Sequence, residues 1–286
     1  MNRAKLNGAL RLVRPLNCAM MGFAVLIGAL LASRSTLEAG SWLSLSLGFT
    51  TGFALTAASM IFNDYFDRAI DAVNQPGRPI PSGLIAPREA ILWATLWSLL
   101  GFAAAAATGT VTLLTAVIAW LMFTSYTTRG KRTGFPGNLL VSGCVVTPFF
   151  YGALLLNSVM ALNTWLFAAM AFLANTGREV TKGIPDALGD TAGGIRTIAA
   201  AYGAAPAAAA SSGFYLTAVL LSPLPWLLGS VSALYLPVVA VADMGFILSS
   251  VLLLRNPSPG NSNRVKSHVL LWMLLGLVAF LLGGLG

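Results

Sequence analysis

Two short runs hold six of the nine acidic residues in this chain. The first reads Asn63-Asp64-Tyr65-Phe66-Asp67-Arg68-Ala69-Ile70-Asp71. On a helix, the steps of four from Asn63 to Asp67 to Asp71 form one stripe, with Asp64 beside it. Like charges one turn apart repel, and at a membrane face the penalty grows. A divalent cation removes it. The donors at hand are hard oxygens, with no His or Cys nearby, which points to Mg²⁺. The second run spans residues 178 to 190, where Arg178, Lys182, Asp186 and Asp190 again step by four. If helical, one stripe carries two cations and then two carboxylates. Gly183 and Pro185 lie within it, so a kink or break is expected there.

One acidic run alone reads as easily as a solvated loop with salt bridges. Two runs of matching spacing, in a chain with 9% charged residues, read as a site. Mg²⁺ is usually held by one or two carboxylates together with substrate phosphate oxygens. Two acidic stripes with interspersed Arg and Lys therefore suggest a diphosphate held through the metal. Arg68, Lys131, Arg132, Arg178 and Lys182 are the candidates to complete the clamp on its oxygens. Arg14 and Asn17, at the start of the first apolar run, bring a guanidinium and an amide to the same face; Arg14 also reads as an interfacial anchor. The turn-rich stretch Arg78-Pro79-Ile80-Pro81-Ser82-Gly83 is a lid over the site or a plain connector.

The elements that must position these residues follow from composition. The chain has 286 residues, 57% hydrophobic, with a mean hydropathy of +0.79. A soluble domain carries about 25% charged residues. Too few polar side chains remain to cover a water-facing surface, which excludes a soluble enzyme, a disordered chain and a disulfide-stapled secreted domain. Cys18 and Cys144 read as small buried hydrophobes, and His268 as an interfacial residue. No cleavable signal peptide is expected at the N-terminus. The net charge of +8 would suggest nucleic acid in a soluble protein. Here the basic residues sit in short loops, so anionic lipid headgroups or a phosphorylated substrate are the expected partners, and nucleic acid is not.

Apolar segments fall near 16–33, 41–62, 90–108, 110–126, 138–156, 160–176, 208–229, 233–254 and 267–285. Each is close to the ~20 residues that cross a bilayer. The expectation is an all-α, polytopic membrane bundle of about nine transmembrane helices in a single domain, 1–286. With the N-terminus inside, 16 of the 17 Lys and Arg lie on the cytoplasmic side, and only Arg34 lies opposite. That asymmetry predicts a multi-pass cell-membrane protein with N-terminus and active site cytoplasmic and C-terminus outside. Seven of the nine acids share that side; Glu38 is opposite and Asp243 falls inside the eighth span. Asp67 and Asp71 recur as Asp186 and Asp190, each offset by 119 residues. This suggests two four-helix halves plus one further helix.

These residues resemble the UbiA superfamily of intramembrane prenyltransferases. The family pattern is Asn-Asp-x-x-Asp-x-x-x-Asp after the second helix and Asp-x-x-x-Asp after the sixth, usually preceded by Tyr-x-x-x-Lys. The first is complete at 63–71. The second matches at Lys182, Asp186 and Asp190, with Arg178 where many members have Tyr. The resemblance spans nearly the whole chain, including Arg14-Pro15-x-Asn17. It is nearest to the archaeal branch that builds ether-lipid cores, through Asp-Arg-Ala-Ile-Asp leading into Arg-Pro-Ile-Pro-Ser-Gly, Thr133-Gly134-Phe135-x-Gly137-Asn138, and Arg178-Glu179-x-x-Lys182. Gly183 departs from relatives that often carry Asp. The resemblance implies transfer of a geranylgeranyl group from its diphosphate to the hydroxyl of geranylgeranylglyceryl phosphate, a lipid-like acceptor. It also implies two Mg²⁺ ions bridging the motifs and the diphosphate.

On this reading Asn63, Asp67, Asp186 and Asp190 are metal ligands, with Asp64 and Asp71 next. Asp67, Asp71 and Asp190 carry the chemistry, and Asp71 orients or deprotonates the acceptor. Arg14, Lys131 and Arg132 are the candidates for the acceptor's own phosphate. Rival acceptors are 4-hydroxybenzoate, a naphthoate, a chlorophyllide or haem. A transporter is disfavoured because only Asp243 sits at mid-membrane. A membrane alcohol phosphotransferase expects an Asp-Gly-x-x-Ala-Arg run, which is absent.

Overall fold

A computed structural model describes residues 3–32, 41–156 and 161–284, with the side chains of residues 73 and 74 excepted. Arg34 and Glu38 lie outside the described residues. Among those described, the regular structure is helical: α1 (Arg3–Val13), α2 (Pro15–Ala32), α3 (Ser41–Asn74), α4 (Pro87–Thr108), α5 (Thr110–Thr128), a 3₁₀ turn (Gly130–Thr133), α6 (Phe135–Leu155), α7 (Leu162–Ala192), α8 (Ile198–Tyr202), α9 (Ala204–Leu221), α10 (Leu224–Leu227), α11 (Tyr235–Arg255) and α12 (Pro259–Gly284).

Eight of the nine expected spans coincide with segments long and apolar enough to cross a membrane. The expected sixth, 160–176, lies on α7, which is long enough but interrupted by polar residues from Asn175 onward. α3 and α7 have 34 and 31 residues. At ~1.5 Å per residue each approaches 50 Å, well beyond a hydrocarbon core of about 30 Å. Their final turns therefore carry polar sequence past the apolar layer, and both acidic motifs lie on those turns. The expected break at Gly183 and Pro185 does not occur: α7 runs on to Ala192 with Pro185 inside it. Proline removes its own N–H from the ladder and crowds the carbonyl one turn back, which bends a helix more readily than it ends one.

The packing order recurs in the two halves. α2 packs on α3, α3 on α4 and α4 on α5; then α6 packs on α7, α7 on α9 and α9 on α11, with α12 against α2, α7 and α11. The halves join along α2 and α6, where a side chain at Gly28 would collide with the Phe149 backbone and one at Gly152 with the Val25 carbonyl. Small residues allow this approach, as in other membrane helix pairs. α3 and α7 do not pack along each other, but α2 and α6 touch both, so the motif-bearing helices face across a gap that the other two frame.

Candidate active site

A cavity of about 440 Å³ fills that gap, within the about 300–1,000 Å³ usual for small-molecule sites. Its mouth is polar: Arg14, Asn17, Asn63, Gln75, Arg78, Arg178, Glu179, Lys182 and Lys266. Its body is mainly apolar, with Met20, Met21, Leu55, Trp120, Phe123 and Pro148 among the walls. From Asn63 it reaches twelve residues up α3 to Thr51, about 18 Å. There Tyr151 donates its hydroxyl to Thr51 Oγ1 at 3.3 Å, which puts a hydrogen bond at the floor. Cys144 lines the wall while Cys18 is buried, bonded to the Val13 carbonyl; both are free thiols.

The first motif forms the stripe its spacing predicts. Asn63 Nδ2 donates to Asp67 Oδ2 at 3.0 Å. Asp64, Asp67 and Asp71 are all buried, and each takes a cation brought from elsewhere in the chain. Arg14 Nη2 binds Asp64 Oδ1 at 2.6 Å. Lys131 binds Asp67 Oδ2. Arg78 Nη1 spans Asp64 Oδ1 at 3.3 Å and Asp71 Oδ2 at 2.6 Å. Carboxylates this close would repel, and these cations counter that repulsion.

Local backbone explains how the cations arrive. Arg14 sits at a positive φ of 53° between α1 and α2, a left-handed turn costing about 1–2 kcal/mol for a residue with a side chain. Pro15 then starts α2, a position that suits its fixed φ. Lys131 lies in the 3₁₀ turn, whose shape depends on two glycines. Gly134 has φ 73°, and a Cβ there would collide with the Arg196 carbonyl; a Cβ at Gly137 would collide with the Gly130 carbonyl. The 130–137 loop is thus folded on itself and pressed against the segment after motif two. The stretch after motif one folds back over α3. Its Ile80 and Ile85 are buried with Leu12 and Ile61, and Arg11 Nη2 donates to the Gly77 carbonyl at 2.8 Å. The stretch reads as a cover over the motif that delivers Arg78 to the cavity wall.

The second motif differs. Lys182 Nζ binds both oxygens of buried Glu179, at 2.9 and 2.7 Å. Asp190 is half-buried and accepts from Thr197 Oγ1 at 3.1 Å, while Asp186 is exposed. Lys131 links the motifs: it binds Asp67 and acts electrostatically on Glu179 and Asp190.

Several expectations change on these contacts. Arg68 is exposed, donates to the Tyr65 carbonyl at 2.7 Å and stacks on the Tyr65 ring at 4.3 Å, so it turns along its own helix rather than into the cavity. Arg132 is exposed, with its neighbour Lys131 the one that turns inward. Arg78, Gln75 and Lys266 line the cavity without having been singled out as site residues. The signal for Arg78 was its seven-residue spacing from Asp71; for Lys266 there was none. His268 is exposed. Asp243, outside the mouth, accepts from Ser222 Oγ at 2.6 Å.

The donor chemistry suits Mg²⁺. All six candidate ligands are oxygen donors, and among the described residues no three His, Cys, Asp or Glu converge into a preformed cage. A hard cation that uses one or two carboxylates plus phosphate oxygens and water needs no such cage.

Comparison with known proteins yields a consistent set. The model of the UbiA prenyltransferase family matches residues 21–283. Digeranylgeranylglyceryl phosphate synthase of Methanopyrus kandleri is 37% identical over 273 residues, covering 95% of this chain and 97% of the relative. That of Methanothermobacter thermautotrophicus is 33% identical over 282 residues, covering 97% and 96%. A solved structure concerned with digeranylgeranylglyceryl phosphate synthase in membranes superposes with a TM-score of 0.73 at 30% identity, covering 98% of each chain. A UbiA homologue from Archaeoglobus fulgidus bound to GPP and Mg²⁺ shares the fold, with a TM-score of 0.64 at 19% identity, covering 96% and 99%.

Proposed function

The chain belongs to the UbiA prenyltransferase family, and from that premise we propose that it transfers a geranylgeranyl group from geranylgeranyl diphosphate to the hydroxyl of geranylgeranylglyceryl phosphate, in archaeal ether-lipid synthesis. One observation carries the reading: a cavity joins a charged mouth, to which the first motif brings Asn63 and the second run Arg178, Glu179 and Lys182, to a long apolar body. Near full-length likeness to digeranylgeranylglyceryl phosphate synthases supports this acceptor over an aromatic one.

Asn63, Asp67, Asp186 and Asp190 would hold Mg²⁺, with Asp64 and Asp71 behind them. Bound there, the metal would supply Lewis acidity and neutralise charge on the diphosphate. The chain's own residues do the rest. Lys131 and Lys182 place positive charge where the leaving diphosphate gathers negative charge, an electrostatic stabilisation present before reaction. The allylic C1–O bond breaks with its electron pair going to the diphosphate. Met20, Met21, Leu55, Trp120 and Phe123 surround the prenyl chain and keep water from the electron-poor carbon. The acceptor oxygen forms the new ether bond and gives up its proton, with Asp71 as the nominated base; its Oδ2 is held by Arg78. Arg14 and Arg78 hold Asp64 and Asp71 in place. Asn17 offers its amide at the mouth. The charged mouth faces the cytoplasm, with the N-terminus on the same side.

The test is mass spectrometry of products from purified protein given Mg²⁺, geranylgeranyl diphosphate and each acceptor separately. The doubly prenylated glyceryl phosphate is the expected product. Prenylated 4-hydroxybenzoate with no glycerophosphate product would replace this reading with its rival.

A further inference from the structure

The acceptor carries a phosphate on the carbon next to the one bearing its reactive hydroxyl. When that hydroxyl meets the allylic carbon, two polyanions lie within about one glycerol unit of each other. The protein must supply cations for both. The three basic residues that the sequence nominates for the acceptor phosphate are poorly placed for it. Arg14 and Lys131 are bound to Asp64 and Asp67, and Arg132 is exposed.

A different group of cations stands opposite. α7 packs against α12, and Arg178 Nε donates to the Lys266 carbonyl at 3.3 Å, which ties the guanidinium to the α12 backbone. Arg178, Lys182 and Lys266 all line the cavity. They are close enough that Arg178 and Lys182 repel the Lys266 ammonium. Two carboxylates are near. Buried Glu179 is taken up by Lys182 and, at 3.5 Å, by Arg178; Asp186 attracts Lys266 from an exposed position. Among the described residues, the ammonium of Lys266 has neither hydrogen bond nor ion pair. Three cations against one inward carboxylate, half-buried beside an apolar chamber, are costly alone. A dianion among them reverses the sign of that cost. Lys182 also acts on Asp190, about two turns further along the same helix.

We propose that Arg178, Lys182 and Lys266 form a subsite for the acceptor's phosphomonoester, with Lys266 the residue that selects a phosphorylated lipid over a neutral one. The proposal rests on the glycerophosphate acceptor assigned above. Lys182 faces both anions and screens one from the other, whereas Lys266 faces only the acceptor.

The experiment compares the full-length protein with its Lys266→Met and Lys266→Arg variants. Steady-state KM is measured for each substrate, and equilibrium binding for geranylgeranylglyceryl phosphate and for geranylgeranylglycerol. Lys266→Met raises acceptor KM and Kd about tenfold or more, leaves the KM of geranylgeranyl diphosphate unchanged, and leaves geranylgeranylglycerol binding as in the wild type. Lys266→Arg restores most of the affinity. Equal binding of the phosphorylated acceptor in wild type and Lys266→Met overturns the subsite. So does an equal rise in the KM of geranylgeranyl diphosphate, which would give the cluster to the donor. Should the wild type make no ether-lipid product, the acceptor assignment falls, and a second arm still judges the subsite. A lysophosphatidic acid is compared with its monoacylglycerol. Preference for the phosphorylated lipid, lost in Lys266→Met, supports the subsite; absence of preference overturns it.

Discussion

The two acidic motifs share a spacing and differ in almost everything else. In the first, three buried carboxylates are held by Arg14, Arg78 and Lys131, which come from three separate segments. In the second, the cations are built into the same helix two turns earlier, and the carboxylates lie toward the exposed end. The same stripe of four thus yields two kinds of surface. One is a rigid rank of oxygen donors whose charge is balanced from outside. The other presents Arg178 and Lys182 to the cavity ahead of its acids. The proposed reaction would use both, one to hold metal at the donor diphosphate and one to face the anionic oxygens of donor and acceptor directly.

The largest effect should come from the first motif. Asp67→Ala removes an oxygen donor at its centre and leaves Lys131 unpaired, and Mg²⁺-dependent turnover should fall by about 10²–10³-fold or more while the protein still inserts. Asp190→Ala should also abolish most turnover. Substantial activity in either variant, measured by product formation at saturating substrate, would detach that motif from the chemistry. Next in size, Gly134→Ala forces a Cβ into the Arg196 carbonyl at a left-handed φ. The φ alone costs about 1–2 kcal/mol, and the loop carrying Lys131 should shift from motif two. A lower Tm together with reduced turnover is expected; an unchanged Tm would show the loop free to rearrange.

A smaller effect separates the motifs most sharply. Arg78→Ala should lower kcat, because Asp64 and Asp71 lose a shared partner. Lys182→Ala, at a residue that faces both anions, should mainly raise KM for both substrates, by about tenfold. Similar kcat and KM changes in both variants would erase the distinction drawn here. The smallest effect is expected at Arg68, which turns along its own helix, and at exposed Arg132: alanine at either should change kcat/KM less than about twofold, within the range of exposed charges.

Those last two residues mark what could be read from sequence. The spans were legible because apolar runs near twenty residues have few alternatives, and the stripe Asn63, Asp67, Asp71 was legible because helical spacing alone sets it. α7 was harder: its apolar run is short, and Pro185 within it signals a break that the continuous helix overrides. Which cations meet which acids depends on contacts between distant segments. Arg68 was attractive by proximity, but Tyr65 three residues earlier offers both a carbonyl and a ring. Lys266 was invisible, since only the packing of α12 on α7 brings it to the cavity. Gly134 and Gly137 could be noticed as part of a resemblance, but their reason, a loop folded against residues some sixty positions away, needed coordinates.

The central claim is that both motifs serve one anion. It is tested most directly by a double-mutant cycle on kcat/KM with Asp67→Asn, Asp190→Asn and the pair. If the two carboxylates act on one metal-bound diphosphate, the second substitution should add far less than its effect alone, a coupling well above the about 0.3–0.5 kcal/mol scatter of independent sites. Losses that simply multiply would contradict it, and would mean that each cluster works on its own.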